Sequence, residues 1–94
     1  MNLNFEWDEH KARRNLQRHP GVSFNEAKTV FDDEFSITIN DSAHSTDEER
    51  FIDIGRSDMG RILVVVYTER GNNIRIISAR KPTPTERRKY ETHK

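Results

Sequence analysis

Two apolar runs decide the fold of this chain: RILVVVYTE at residues 61–69 and IRIISARK at residues 74–81. With a third run, FIDIG at residues 51–55, they are rich in β-branched side chains, which favour strands. Short polar segments separate the runs, and connections that short join antiparallel neighbours. We therefore predict an antiparallel meander of Phe51–Gly55, Arg61–Glu69 and Ile74–Lys81, with its middle strand covered on both faces.

Two further strands are predicted before the meander. Phe35, Ile37 and Ile39 alternate with polar residues, and a period of two is typical of a half-buried strand. Asn4–Trp7 is a candidate edge strand, whereas the polar segment Asn40–Glu49 is predicted to be a loop.

Capping signals predict three helices, because a side-chain oxygen at the N-cap satisfies the first free backbone N–H groups. The signals are Asp8 before a helix to about His19, Ser23 with Glu26 before a short second helix, and Thr83 with Pro84 and Glu86 before a C-terminal helix of about ten residues.

These elements predict one α+β domain over residues 1–94, in the order β-α-α-β-β-β-β-α. Its mainly antiparallel sheet has about four to five strands. We expect the two N-terminal helices on one face of the sheet and the C-terminal helix at the edge or on the opposite face.

The composition is polar for a folded chain, with 32% hydrophobic and 34% charged residues. We expect marginal stability and help from a partner. The chain has no cysteine, which excludes a disulfide scaffold, a thiolate zinc site and a thiol nucleophile. Its longest apolar run, Ile62–Tyr67, is too short to cross a bilayer and no secretory signal is visible, so we expect a cytoplasmic protein.

The net charge of zero hides two opposite halves. Residues 1–49 hold five Lys and Arg against eleven Asp and Glu, and residues 50–94 hold eleven against five. Most bases of the second half are arginine, whose guanidinium group binds phosphate through two hydrogen bonds. We therefore predict an anionic partner for the basic half, and we expect the acidic half to lie largely outside that contact.

If the anionic partner is RNA, its cleavage requires a base near the 2'-hydroxyl, cations around the phosphate and an acid near the leaving 5'-oxygen. The sequence offers candidates for each role. The possible bases are His19, His44 and Glu49, the possible phosphate ligands are Arg50, Arg75 and Arg80, and Tyr90 is a possible stacking group or proton donor. Further candidate RNA contacts are Arg61, Lys81, Arg87 and Arg88.

Each candidate also has a plainer interpretation. Most single arginines and histidines of a polar domain are solvated surface or packing residues, and Tyr90 could be a core residue. Glu49 beside Arg50 is equally consistent with an ordinary strand-edge charge pattern. The spacing of His and carboxylate residues fits no specific metal site, so we predict neither a metal nor another cofactor.

Several separated motifs together resemble the BrnT family, the toxins of type II toxin-antitoxin pairs. The motifs are FxWDxxKxxxNLxRH at residues 5–19, GVSFxEA at 21–27, VFD at 30–32, ERF at 49–51, IISAR at 76–80, and ER at 86–87 with Tyr90. The chain departs from the family pattern at Pro20, which separates His19 from Gly21, and at Lys81, where arginine is common.

The resemblance implies a RelE-like fold and an endoribonuclease that inhibits translation. It also implies a BrnA-type antitoxin with a ribbon-helix-helix DNA-binding domain, so that DNA is contacted only through the antitoxin in a heterotetramer or larger complex. We expect Arg80, Arg75, Arg50, Glu49 and His19 to carry a metal-independent reaction. The alternative is a non-catalytic module whose basic half binds RNA or the antitoxin.

Overall fold

The computed structural model describes residues 3–44 and 47–93. It is an α+β structure with a five-stranded sheet, which confirms the predicted fold class. The elements are β1 Asn4–Glu6, α1 Glu9–Arg18, α2 Phe24–Ala27, a 3₁₀ turn Lys28–Asp32, β2 Ile37–Asn40, a 3₁₀ turn Ser42–His44, β3 Arg50–Arg56, β4 Ile62–Arg70, β5 Asn73–Arg80 and α3 Pro84–His93.

The strand order in the sheet is β1-β5-β4-β3-β2. Strands β2 to β5 pair antiparallel, and only the short β1 runs parallel to its neighbour β5. Strand β4 lies at the centre, and Ile62 to Val65 on it are at most 2% exposed, so both of its faces are covered. The antiparallel pairing of the consecutive strands β3, β4 and β5 confirms the predicted meander, and the burial of β4 confirms that its middle strand is covered on both faces.

Each face of the sheet has its own core. On one face, Val22 and Val30 from the N-terminal helical region pack against Leu63 and Val65. The other face buries the smaller cluster Ile54, Ile62, Val64 and Tyr90, the last of these from α3. We call this second side the α3 face. The two N-terminal helices and the C-terminal helix thus lie on opposite faces.

A β-bulge in β5 decides which of its side chains reach the α3 face. Tyr67 pairs with Ile76 but the preceding Val66 pairs with Ser78, so Ile77 is an extra residue. Beyond the bulge the alternation resumes one residue out of step. Arg75 and Arg80, five residues apart, therefore point to the same face, which regular alternation would forbid.

The main differences from the predicted elements are local. Strand β2 begins at Ile37 rather than at Phe35, which is 47% exposed. Ser23 caps α2 by accepting from the Glu26 backbone N–H at 3.0 Å, but the Glu26 side chain does not complete the capping box. It turns instead toward Ser57 and Arg61, whose hydrogen bonds to a buried carboxylate are stronger than a return bond to the cap.

Among the described residues, no helix has both the length and the apolar character needed to cross a membrane.

Candidate active site

A cleft of about 430 Å³ lies where the C-terminal ends of α1 and β5 meet the segment that leads into α3. We call it the α1–β5 cleft. Its lining residues are Arg18, His19, Pro20, Val22, Arg80, Lys81, Pro82 and Thr83. Three predicted site residues therefore share one concave site: His19 from one motif, and the adjacent Arg80 and Lys81 from another. A concave site is the usual form of a small-ligand or active site.

Asn15 holds the two walls of the cleft together. Its side-chain Nδ2 donates to the Ala79 carbonyl at 2.8 Å, and its Oδ1 accepts from the Ala79 N–H at 3.1 Å. The same Nδ2 also donates to the Val22 carbonyl at 3.2 Å, and Asn15 is only 5% exposed. A buried amide with both ends satisfied fixes α1 on the edge of β5. His19 and Arg80 are thereby held close to each other.

His19 is positioned by the turn that ends α1. Its backbone N–H donates to the Asn15 carbonyl at 2.8 Å, and its carbonyl accepts from the Val22 N–H at 3.0 Å. Pro20 and Gly21 occupy the two central positions, and Gly21 has a φ of 82°. Proline followed by a glycine with positive φ is the pattern of a type II turn. Pro20 is thus compatible with an ordered His19.

Arg80 is fixed by Glu86 from the first turn of α3. Two parallel hydrogen bonds join the groups, Nη1 to Oε1 at 2.7 Å and Nη2 to Oε2 at 2.8 Å. Glu86 Oε1 also accepts from the Thr83 N–H at 2.9 Å, which completes the predicted capping box. The Arg80 guanidinium lowers the pKa of Glu86 to about 2. One carboxylate therefore both starts α3 and orients the arginine of the cleft.

A family model described as "Ribonuclease toxin, BrnT, of type II toxin-antitoxin system" matches residues 7–86. The chain belongs to the BrnT family. The crystal structure of the Brucella abortus ribonuclease toxin BrnT is similar in fold, with a TM-score of 0.65 at 20% sequence identity. The alignment covers 87% of this chain and 99% of the Brucella chain. A comparison with curated protein sequences gave no significant match. The predicted family is confirmed, and it implies an antitoxin partner.

Two other predicted site residues of this BrnT chain lie apart from the cleft. The register places Arg50, Thr68, Arg75 and Glu6 in one row across four strands on the α3 face. Arg75 Nη1 donates to Glu6 Oε2 at 2.8 Å. This row is roughly 15 Å from Arg80 along β5, at about 3.3 Å per residue. The predicted phosphate ligands therefore form two groups on the same face of the sheet, Arg80 at the end of β5 and Arg50 with Arg75 nearer its start.

Glu49 and Arg61 lie outside both groups. Glu49 Oε2 accepts from Asn40 Nδ2 at 2.5 Å, beside the end of β2. Arg61 Nε donates to Glu26 Oε2 at 2.8 Å, and its Nη2 donates to the Gly21 carbonyl. The hydrogen bond from Arg61 lowers the pKa of Glu26, which is only 6% exposed. Arg61 thus fastens the N-terminal helical region to β4.

Tyr90 is a core residue, which corrects its predicted role as a stacking group or proton donor. It is 1% exposed, packs against Ile54, and its hydroxyl donates to Asp33 Oδ2 at 2.6 Å. Burial and this hydrogen bond raise the pKa of Tyr90. A ring enclosed in this way has no free face for a base.

The other predicted residues of this region are Arg87 and Arg88, which are exposed on α3. The side chain of His44, another predicted base, lies outside the described residues.

Folding brings some bases of the second half against acids of the first. Arginines of the second half form ion pairs with glutamates, and three of these partners belong to the first half. The pairs are Arg61–Glu26, Arg70–Glu48, Arg75–Glu6 and Arg80–Glu86. Charges that are distant in sequence thus become neighbours in the sheet, while Lys81, Arg87, Arg88 and Lys89 of the second half stay exposed.

Sequence reasoning missed three contributors to the site. Asn15 and Glu86 position other groups, and their roles depend on contacts that only the fold creates. The third contributor is Arg18 of α1, which lines the cleft although it lies in the half of the chain with negative net charge. The sequence signal that could have revealed it is the spacing of Arg18 from Lys11 and Arg14, which places the three bases on one side of a helix. In the described part of the chain, no three His, Cys, Asp or Glu side chains are grouped so as to hold a metal ion.

Proposed function

We propose that this BrnT chain is a metal-independent endoribonuclease whose active site is the α1–β5 cleft. The observation that carries the proposal is that His19, Arg80 and Lys81 line the same cleft of about 430 Å³. This combination offers a proton acceptor and two cations within one concave surface, the requirements for cleavage of an RNA phosphodiester. Membership in a family of ribonuclease toxins supports the same activity.

In the proposed reaction the His19 imidazole accepts the proton of the RNA 2'-hydroxyl. The 2'-oxygen attacks the adjacent phosphorus, the P–O5' bond breaks, and the 5'-oxygen takes a proton from the Lys81 ammonium group. The products are a 2',3'-cyclic phosphate and a 5'-hydroxyl end. Proton exchange with water restores both side chains.

Arg80 stabilises the negative charge that develops on the phosphate in the transition state. Glu86 holds this guanidinium group in place before the substrate arrives, so little reorganisation is needed during the reaction. The side chains of the pair stay 32% and 22% exposed, which leaves Arg80 accessible to an incoming phosphate.

Arg75 and Arg50 have a separate role in this proposal. They bind flanking phosphates of the RNA on the α3 face, where they share a row with Thr68. Glu49, adjacent in sequence to Arg50, influences that row by its charge. Arg87 and Arg88 extend the basic surface along α3.

We propose further that cleavage of RNA inhibits translation and that a BrnA-type ribbon-helix-helix antitoxin neutralises the toxin. Ribbon-helix-helix domains dimerise, so the complex is a heterotetramer or larger. The exposed bases of α3 and of the cleft fit an acidic segment of the antitoxin that orders on binding.

The test is incubation of the purified chain with RNA in the presence of a chelator, followed by analysis of the product ends. We expect cleavage that leaves 2',3'-cyclic phosphate and 5'-hydroxyl ends. A folded protein that binds RNA but neither cleaves it nor arrests growth would support the non-catalytic binding module instead. Cleavage that is abolished by the chelator would contradict the metal-independent mechanism.

A further inference from the structure

Three bases form a stripe along one face of α1. Lys11, Arg14 and Arg18 follow a spacing of three and four residues, which places them on the same side of a helix. All three are exposed, and among the described residues none of their side chains forms an ion pair or a hydrogen bond; only the Lys11 backbone N–H bonds to a side chain, that of Asp8. They differ in this from Arg61, Arg70, Arg75 and Arg80, each of which forms an ion pair with a glutamate.

The stripe borders a groove of about 200 Å³ beside β5. Its other lining residues are Asn15, His19, Ile77 and Ser78. The groove exists because β1 pairs with β5 only as far as Arg75, and α1 lies along the edge that β1 leaves uncovered. The bulge at Ile77 and Ser78 thus lies opposite the bases of α1.

The groove adjoins the α1–β5 cleft. Arg18 and His19 line both, so a ligand that follows the stripe from Lys11 arrives at the proposed catalytic histidine. Each step along the stripe advances about 4.5 to 6 Å along the helix axis, at 1.5 Å per residue. A row of separate cations matches a polymeric ligand that carries one negative charge on each monomer, as a nucleic-acid strand does.

We propose that Lys11, Arg14 and Arg18 bind the phosphate backbone of single-stranded RNA and lead it to His19 and Arg80. This inference rests on the proposed function and assigns a substrate path to the same site. An acidic protein segment fits less well, because protein interfaces need a buried apolar centre and Ile77 is the only aliphatic side chain among the lining residues of this groove.

The test compares two double variants with the same change in charge. Lys11→Ala with Arg14→Ala removes two bases of the stripe, and Arg18 is left intact because it also lines the cleft. Arg13→Ala with Lys28→Ala is the control, since neither residue lines the groove. The ligand is a fully 2'-O-methylated RNA oligonucleotide, which binds without being cleaved, and affinity is measured across a salt series.

We expect the stripe variant to bind on the order of tenfold more weakly or worse at 0.1 M salt. The slope of log affinity against log salt should fall by about 1.4, or about 0.7 for each lost phosphate contact. The control variant should bind like the wild type. Circular dichroism and thermal unfolding establish that both variants are folded, and Arg14→Ala alone provides a milder second test.

Equal RNA binding by the two double variants would overturn the inference, and so would wild-type protein that does not bind the oligonucleotide. Weakened antitoxin binding with unchanged RNA binding would assign the stripe to the partner instead. Failure of catalysis is separate, because it is measured on cleavable RNA. A wild type that binds the oligonucleotide through the stripe but cleaves nothing contradicts only the proposed function.

Discussion

The side chain of Asn15 pairs with the backbone of Ala79 as a neighbouring strand would, across 64 residues of sequence. One amide donates to the Ala79 carbonyl and accepts from its N–H, at 2.8 and 3.1 Å. The backbone N–H and carbonyl of Ala79, on the part of the β5 edge that β1 does not reach, gain their hydrogen-bond partners in this way. The contact determines the distance between α1, which ends beside His19, and β5, which ends at Arg80.

Asn15→Ala should destabilise the fold by about 2 to 4 kcal/mol, because it leaves both buried backbone groups of Ala79 without partners. Urea unfolding measures this effect. Leu16→Ala is the control on the next residue, which is 43% exposed, and it should cost less than about 1 kcal/mol. Equal losses in the two variants would contradict the role assigned to Asn15.

Glu86→Gln should change the pH dependence of stability. Arg80 lowers the pKa of Glu86 from 4.5 to about 2 in the folded state, so this carboxylate stabilises the fold above pH 4.5 and loses the effect as the pH falls toward 2. At pH 7 the variant should be less stable by about 2 kcal/mol, which is below the full value of the shift because the pair is partly exposed.

The difference between wild type and Glu86→Gln should vanish near pH 2. Glutamine keeps the capping geometry, so the comparison isolates the charge. Glu91→Gln, on the exposed side of the same helix, is the control and should follow the wild-type curve. A gap that stays constant from pH 7 to pH 2 would show that the ion pair is not its source. Denaturant unfolding at each pH provides the measurement.

Gly55→Ala should destabilise the fold by about 3 kcal/mol through overpacking. A Cβ at this buried position would lie 2.8 Å from Val30 Cγ1 and 2.9 Å from Ser36 Cβ. Gly60→Ala is the control for backbone strain without a clash. The φ of Gly60 is 82°, which an alanine adopts only with strain, but nothing lies within 4 Å of an added Cβ. It should cost about 1 kcal/mol. Thermal unfolding should rank the two variants in this order, and the reverse order would contradict the packing account.

The complex with the antitoxin should be polar and sensitive to salt. Arg80→Glu and Lys89→Glu reverse charges in the cleft and on α3, and each should weaken binding, most strongly at low ionic strength. Affinity across a salt series, by titration calorimetry, checks both variants. If neither charge reversal nor high salt weakens the complex, apolar contacts dominate the interface and the electrostatic explanation is wrong.

The sheet could be predicted from sequence because its signals are local. The runs at 61–69 and 74–81 contain enough β-branched residues, with short enough connections, to specify the meander without knowledge of the rest. The bulge at Ile77 could not be predicted in this way, since it depends on how β5 registers with β4. That single extra residue decides whether Arg75 and Arg80 share a face.

The sequence predicts individual residues of the proposed site but not that they line one cleft. His19, Arg80 and Lys81 were found from charge and from the family motifs, but their meeting in one cleft depends on Asn15, which has no local signature of that role. Charge counting along the chain could not reveal the ion pairs, because Glu6 and Arg75 are adjacent in the sheet although 69 residues separate them. The charge composition of a sequence does not indicate which distant residues pair in the fold.

Cleavage by an Arg80→Ala variant tests the central claim most directly. The measurement is the single-turnover rate constant on a short RNA with chelator present, for the wild type, Arg80→Ala and Arg70→Ala. Arg70 is the control, because it forms a similar ion pair, with Glu48, away from the cleft. We expect Arg80→Ala to lose a factor on the order of a hundred or more and Arg70→Ala to stay within a few-fold of wild type. A folded Arg80→Ala protein that cleaves at the wild-type rate would contradict the assignment of the active site to the α1–β5 cleft.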